Sequence, residues 1–194
     1  IKLKILGITA HNLAKNSLSH IYYHVLVGLV AFLSIPIVVT NLGFDAFGLL
    51  TIALMVFGSF GIIDLGLGKT TTKFIAEYLE SEDSNIANNV FWISSLIQLC
   101  IGVIGGLILF ASSPTIVNSI LKIPNSLLEE SQLVFWILSF AGVPVLLGSS
   151  FRGTLSGAQR FDLVNIIRLS LNISTYLIPL FGSIFGARVS VIVF

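Results

Sequence analysis

Residues 90–111 read VFWISSLIQLCIGVIGGLILFA, without a single Asp, Glu, Lys or Arg. At 1.5 Å per residue a helix of this length reaches roughly 33 Å, enough for the ~30 Å hydrocarbon core of a bilayer. A surface helix of a soluble protein keeps a charged and polar face, and this segment has no charge for one. Four further stretches share its character: residues 21–39, 46–67, 133–151 and 163–185, interrupted by charge only at Asp64 and Arg168. A sixth is predicted to begin near Val189. The ~10-residue alternating strands of a membrane β-barrel are absent. The expected fold is therefore all-α, a polytopic membrane helix bundle of about five to six transmembrane helices.

Composition agrees. Of the 194 residues 55% are hydrophobic and 10% charged, whereas a soluble domain carries about 25% charged residues. Mean hydropathy is +1.01. A net charge of +1 excludes the strongly basic surface that nucleic acid requires. The lone Cys100 permits neither an internal disulfide nor a metal framework. No cleavable signal peptide is legible in residues 1–15. Residues 1–194 are read as a single transmembrane domain. The start at Ile1 and the end in the apolar run Val191–Phe194 are read as cut ends of a longer chain.

Lys and Arg in the loops set the orientation. With the N-terminus in the cytoplasm, that side holds Lys2, Lys4, Lys15, Lys69, Lys73, Arg152, Arg160 and, at a helix entrance, Arg168. The outside holds Lys122 and Arg188. Residues 41–46 are expected to form a tight external turn between two antiparallel helices that pack as a hairpin. Residues 69–89 and 152–162 are expected to be cytoplasmic loops, the first long and polar. Residues 112–132 are expected to be the longest outside loop.

Polar residues at helical spacing inside such spans point to a protein interior or a water-filled cavity. Asn16, His20, His24 and Gly28 recur every four residues in the first span; Gly61, Asp64 and Gly68 share a face in the second. Ser94, Gln98, Gly102 and Gly106 do so in the third, and Asn165, Arg168, Asn172, Thr175 and Pro179 in the fifth. His20, His24, Asp64 and Arg168 fall in the cytoplasmic half, where Asp64 and Arg168 are expected to pair or to share a cavity. The plainer readings are snorkelling for Arg168, a helix-end pair with Lys69 for Asp64, packing for His24, and close helix contact for Gly102 and Gly106.

Two motifs mislead. Gly68-Lys69-Thr70 imitates the end of a phosphate loop, but Ile63 stands where its first glycine belongs. His20 and His24 have the spacing of a zinc-binding helix, but Ile21 replaces the glutamate of that motif and no third ligand is evident. No motif points to a cofactor or a resident metal.

The order of features carries a resemblance across essentially the whole chain. The amphipathic segment Asn12–Leu18 leads into a span ending at Pro36, followed by Asn41-Leu42-Gly43-Phe44-Asp45-Ala46-Phe47-Gly48. Asp64-Leu65-Gly66-Leu67-Gly68 and a polar loop come next, and later Gly153-Thr154-Leu155-Ser156-Gly157-Ala158-Gln159-Arg160-Phe161-Asp162. This resembles the N-terminal half of polysaccharide flippases of the Wzx type, in the superfamily that also holds the lipid II flippase MurJ and the MATE exporters. The resemblance implies a two-lobe transporter of which this chain supplies the first lobe, in the inner membrane of a prokaryote. It implies export of a polyprenyl-diphosphate-linked oligosaccharide by alternating access, with lipids, a coupling ion and glycan-assembly proteins as partners.

Flippases of this type place cations in the cavity for the diphosphate; here the deep cations are Arg168 and, when protonated, His20 and His24. The expected substrate-binding residues are thus Arg168, His24, Asn172, Asp64, His20 and Gln98. The competing reading is a cation-coupled small-molecule exporter of the MATE type, with Asp64 binding Na⁺ or H⁺. An enzyme is not expected, because the outside loop carries only Glu129, Glu130 and Lys122 as charged groups.

Overall fold

The computed structural model describes residues 10–64, 66–81, 84–121 and 123–193. Among these the chain is helical throughout, with no strand. Helix α1 spans Ala10–Leu42, α2 Phe44–Ile63, α3 Leu67–Glu80, α4 Ser84–Thr115, α5 Leu128–Gly157, α6 Phe161–Ile184 and α7 Val189–Val193. A π-helical turn, Ile116–Ile120, prolongs α4, and a 3₁₀ turn, Asn125–Leu127, precedes α5. Five helices are long and apolar enough to cross a membrane: Val25–Leu42, Phe44–Ile63, Asn85–Ile120, Asn125–Gly157 and Phe161–Ile184. Their outer faces stay apolar, with Ile62 80% and Phe140 73% exposed. A soluble monomer rarely shows contiguous apolar surface on this scale, whereas lipid covers it without cost.

Helix α5 is the axis of the bundle. It touches α2, α3, α4, α6 and α7, and its window is the most buried of the five spans. Helix α1 touches α2 at their shared turn but lies mainly along α6. That turn is tighter than residues 41–46 implied. Gly43 alone is non-helical, at φ +83°, a conformation that a side chain disfavours.

The largest departure from the sequence reading lies between α2 and α4. Residues 69–89 are not a polar loop. The second span stops at Ile63, Gly66 turns the chain at φ +79°, and α3 starts at Leu67. Gly61, Asp64 and Gly68 therefore do not share one helix face, because Gly68 belongs to the next helix. Helix α3 buries Gly68, Thr71 and Ile75 and exposes Lys69, Lys73 and Glu77. Its inner stripe has helical spacing but opens with the small residues Gly68 and Thr71, so it passes for loop composition. The third and fourth spans also extend well into the expected outside loop, with Pro114 inside the last turn of α4.

Small residues let the helices approach closely. A Cβ on Gly102 would stand 2.9 Å from Val143 Cα, and one on Gly106 would collide with the Ser139 carbonyl. These two glycines are close-packing positions, as their spacing implied. Across the α3–α5 contact, a Cβ on Gly153 would meet the Gly68 carbonyl oxygen at 2.6 Å, and Thr72 Oγ1 donates to the Gly153 carbonyl at 3.1 Å. Gly153→Ala in the full-length protein is therefore expected to cost about 1–3 kcal/mol by overpacking and to lower the thermal midpoint in detergent. Gly105→Ala, where a Cβ meets nothing within 4 Å, should leave that midpoint unchanged or raise it.

Candidate functional site

Where α2 gives way to α3, the first turn of α3 has backbone N–H groups without partners inside the helix. Asp64 serves one of them. Its Oδ2 accepts the Gly68 N–H at 3.3 Å, so the carboxylate caps the N-terminus of α3, where the helix dipole favours negative charge. Its Oδ1 accepts from Gln98 Nε2 of α4 at 2.7 Å. Gln98 Oε1 in turn accepts the Ser150 backbone N–H of α5 at 3.0 Å. One chain of hydrogen bonds thus ties the α2–α3 break to α4 and α5.

Gln98 is 0% exposed and both ends of its amide are committed. It positions Asp64 and is closed to any ligand. The polar stripe of α4 accordingly faces the bundle: Gln98, Gly102 and Gly106 are all buried. Helices α4 and α5 run antiparallel, with Gly102 against Val143 and Gly106 against Ser139. The same register carried seven residues further sets Ser95 opposite Ser150. The hydroxyls of both are buried without a hydrogen-bond partner.

The stripe on α6 behaves differently. Asn165, Arg168, Asn172 and Thr175 are exposed, and Pro179 at its far end is buried. No ion pair joins Asp64 to Arg168. The one ion pair among the described residues is Arg160 Nε to Asp162 Oδ1, 3.3 Å, exposed in the α5–α6 turn. The side chains of His20 and His24 lie outside the described residues; the helix that carries them, α1, packs along α6.

The structure adds one residue that the sequence reading left in a cytoplasmic loop. Arg152 is helical, inside α5, five residues before its end, and partly buried. It lies within electrostatic range of both Arg168 and Asp64. Arg168 sits seven residues into α6. The α5–α6 turn is short, so the two arginines fall at similar depths, roughly 8 and 10 Å from their helix ends. Asp64 reaches that level because its neighbour Gly68 abuts Ser149 and Gly153 of α5. Arg152 thus lies in the field of both Asp64, at the α2–α3 junction, and Arg168, on α6, near one end of the bundle. Among the described residues no group of three His, Cys, Asp or Glu could hold a metal ion.

The profile of a family described as polysaccharide biosynthesis protein matches residues 13–194. A Shigella flexneri protein that carries the name of an O-antigen transporter is 28% identical over 155 residues, covering 80% of this chain and 36% of that protein. The chain thus spans about a third of the length of that curated relative. No solved structure matches.

Removing the Gln98 amide leaves Asp64 short of a donor and the Ser150 N–H short of an acceptor. Gln98→Leu should destabilise the full-length protein by about 2–4 kcal/mol, since a hydrogen bond to a charged group is worth about 1.5–3 kcal/mol. Ser95→Ala, which deletes an unpartnered hydroxyl, should be neutral or slightly stabilising. Equal thermal midpoints for Gln98→Leu and wild type would remove the network from the account of the fold.

Proposed function

We propose that this chain, which belongs to the polysaccharide biosynthesis protein family, is one lobe of a transporter for a polyprenyl-diphosphate-linked oligosaccharide. The oligosaccharide head crosses the plasma membrane by alternating access, sheltered between this lobe and a second one, while the polyprenyl tail stays in lipid. The observation that carries the reading is the exposed polar face of α6. A transmembrane helix gains nothing from showing Asn165, Arg168, Asn172 and Thr175 to lipid. That face suits a water-filled cavity, and a cavity with a guanidinium in it suits an anion. The name carried by the Shigella flexneri relative points the same way. No observation favours the cation-coupled small-molecule exporter.

In this reading Arg168 receives the diphosphate from the inner leaflet, where the positive-inside distribution of Lys and Arg sets the cytoplasmic side. A guanidinium suits phosphate because its planar fork donates two parallel hydrogen bonds. Asn172 and Thr175 follow at one and two turns and supply neutral groups to phosphate or sugar oxygens. His24 and His20, on the neighbouring α1, are lesser cationic partners when protonated. Asp64 and Gln98, expected as ligands, act here through the fold: they fix the helix junction beside the site. The protein moves its substrate without making or breaking its bonds.

Two measurements test this. In a flippase-null strain complemented with the full-length gene, Arg168→Ala should lower surface glycan by about tenfold, the loss of one charge-assisted contact, and Arg168→Lys should lower it less. Both proteins should reach the membrane at normal levels. If both variants export at the wild-type rate, Arg168 is only a lipid anchor. For orientation, exposed Ser81 after α3 is replaced by cysteine in a Cys100→Ala background. An impermeant thiol reagent should label it in broken cells only; labelling in intact cells reverses the assigned topology.

A further inference from the structure

The end of the bundle away from Arg168, outside in the orientation assigned above, holds a second polar hollow. It opens between the π-helical turn after α4 and the first turns of α5. Its volume is about 480 Å³, and Asn118, Leu128, Glu129, Gln132, Leu133 and Trp136 line it. Small-ligand pockets occupy ~300–1,000 Å³. Leu133 begins the apolar run of α5. Glu129 and Gln132 therefore fall on the water side of that boundary, and Trp136 about one turn inside it.

The polar groups of the hollow are available. Among the described residues Asn118 and Glu129 make no side-chain hydrogen bond and no ion pair. Gln132 Nε2 donates to Ser113 Oγ at 2.6 Å, and that hydroxyl donates to the Phe110 carbonyl at 2.8 Å. The amide is thus held by its nitrogen, with its oxygen left as an acceptor. Trp136 is held as well. Its ring lies 5.7 Å from that of Phe110, which meets Phe140 at 6.4 Å, and Trp136 stays 40% exposed. Taken singly, Glu129 suits the N-terminal dipole of α5 and Trp136 suits a membrane interface. Neither explains the π-helical turn, a rare form frequent at functional sites, which carries Asn118 to the same hollow.

We infer that this hollow binds a neutral sugar unit of the exported glycan at the outer face. The inference rests on the flippase reading above. A sugar hydroxyl donates to a carboxylate and accepts from an amide N–H, so a hollow offering Glu129, Asn118 and Gln132 suits a polyol. The apolar C–H face of the same sugar ring matches the indole of Trp136. Phosphate is excluded, because the six lining residues include a carboxylate and no cation. An amine head group would use the carboxylate and the ring, but it comes joined to a phosphate that finds no partner here. The hollow therefore takes the glycan by its sugars and leaves the diphosphate free to go with the lipid.

The test is saturation-transfer NMR on the full-length protein in phosphatidylcholine nanodiscs. The probe is the oligosaccharide freed from its lipid carrier by mild acid, which has neither phosphate nor tail. Wild type should bind it with a Kd of about 1–10 mM. Trp136→Ala should weaken binding about tenfold, by loss of the aromatic face, and Glu129→Gln about tenfold, by loss of a charged acceptor. Trp92→Ala, which removes an exposed indole at the start of α4, should change nothing. A thermal midpoint equal to that of wild type certifies each variant as folded; if the alanine variant fails, Trp136→Phe replaces it, with a smaller loss expected. Wild type that binds no oligosaccharide, or folded Trp136 and Glu129 variants that bind it as wild type does, overturn the inference. So does displacement of the sugar by an equal concentration of phosphoethanolamine, which assigns the hollow to an amine head group. Each of these leaves the flippase reading intact, since that reading is judged by export in the Arg168 variants.

Discussion

Hydrocarbon offers no partner for a backbone N–H or C=O, so a membrane helix can break only where side chains take over the freed groups. The break after Ile63 is therefore the point on which this bundle depends. Asp64 accepts from the first turn of α3, and Gln98 links that carboxylate to the α5 backbone at Ser150. Those bonds hold the α2–α3 junction against α4 and α5, beside the contact that α3 makes with α5 through Gly68, Gly153 and Gly157.

The rest of the architecture follows from how close helices can come to α5. Glycines on α3, α4 and α5 itself let backbones approach until a single Cβ would collide. Between apolar helices in lipid there is little hydrophobic force, so this close packing, with a few buried hydrogen bonds, holds the helices together. Tight packing on α5 also fixes depth. The antiparallel register of α4 with α5 sets Gln98 beside Ser150, and the short α5–α6 turn sets Arg168 level with Arg152.

Packing and charge are thus arranged at the same end of the molecule. The hydrogen-bonded chain of Asp64, Gln98 and Ser150 ties the α2–α3 junction to α4 and α5, and the exposed polar face belongs to α6. In the proposed function the first keeps its place while the second meets the substrate. A transporter that alternates between two openings needs such a division, because the element that moves must move against something that does not.

The sequence by itself determined the class. Five runs with almost no charge, each about as long as a bilayer core is thick, have one physical solution, and the count of five spans follows from them. It also marked Arg168, because a cation inside an apolar run is costly and conspicuous, and it marked Gly102 and Gly106 by their spacing. It could not show α3, whose buried stripe of Gly68, Thr71 and Ile75 differs from a loop only when the surface it packs on is known. It could not separate the polar residues that face inward, such as Gln98, from those left exposed, such as Arg168 and Thr175, because spacing defines a face but not its neighbour. Arg152 was hidden for the same reason: near the end of an apolar run it reads as a loop cation. Only the tertiary structure decided that it lies within the helix and turns back over Gly148, since the direction of a side chain depends on what space its neighbours leave.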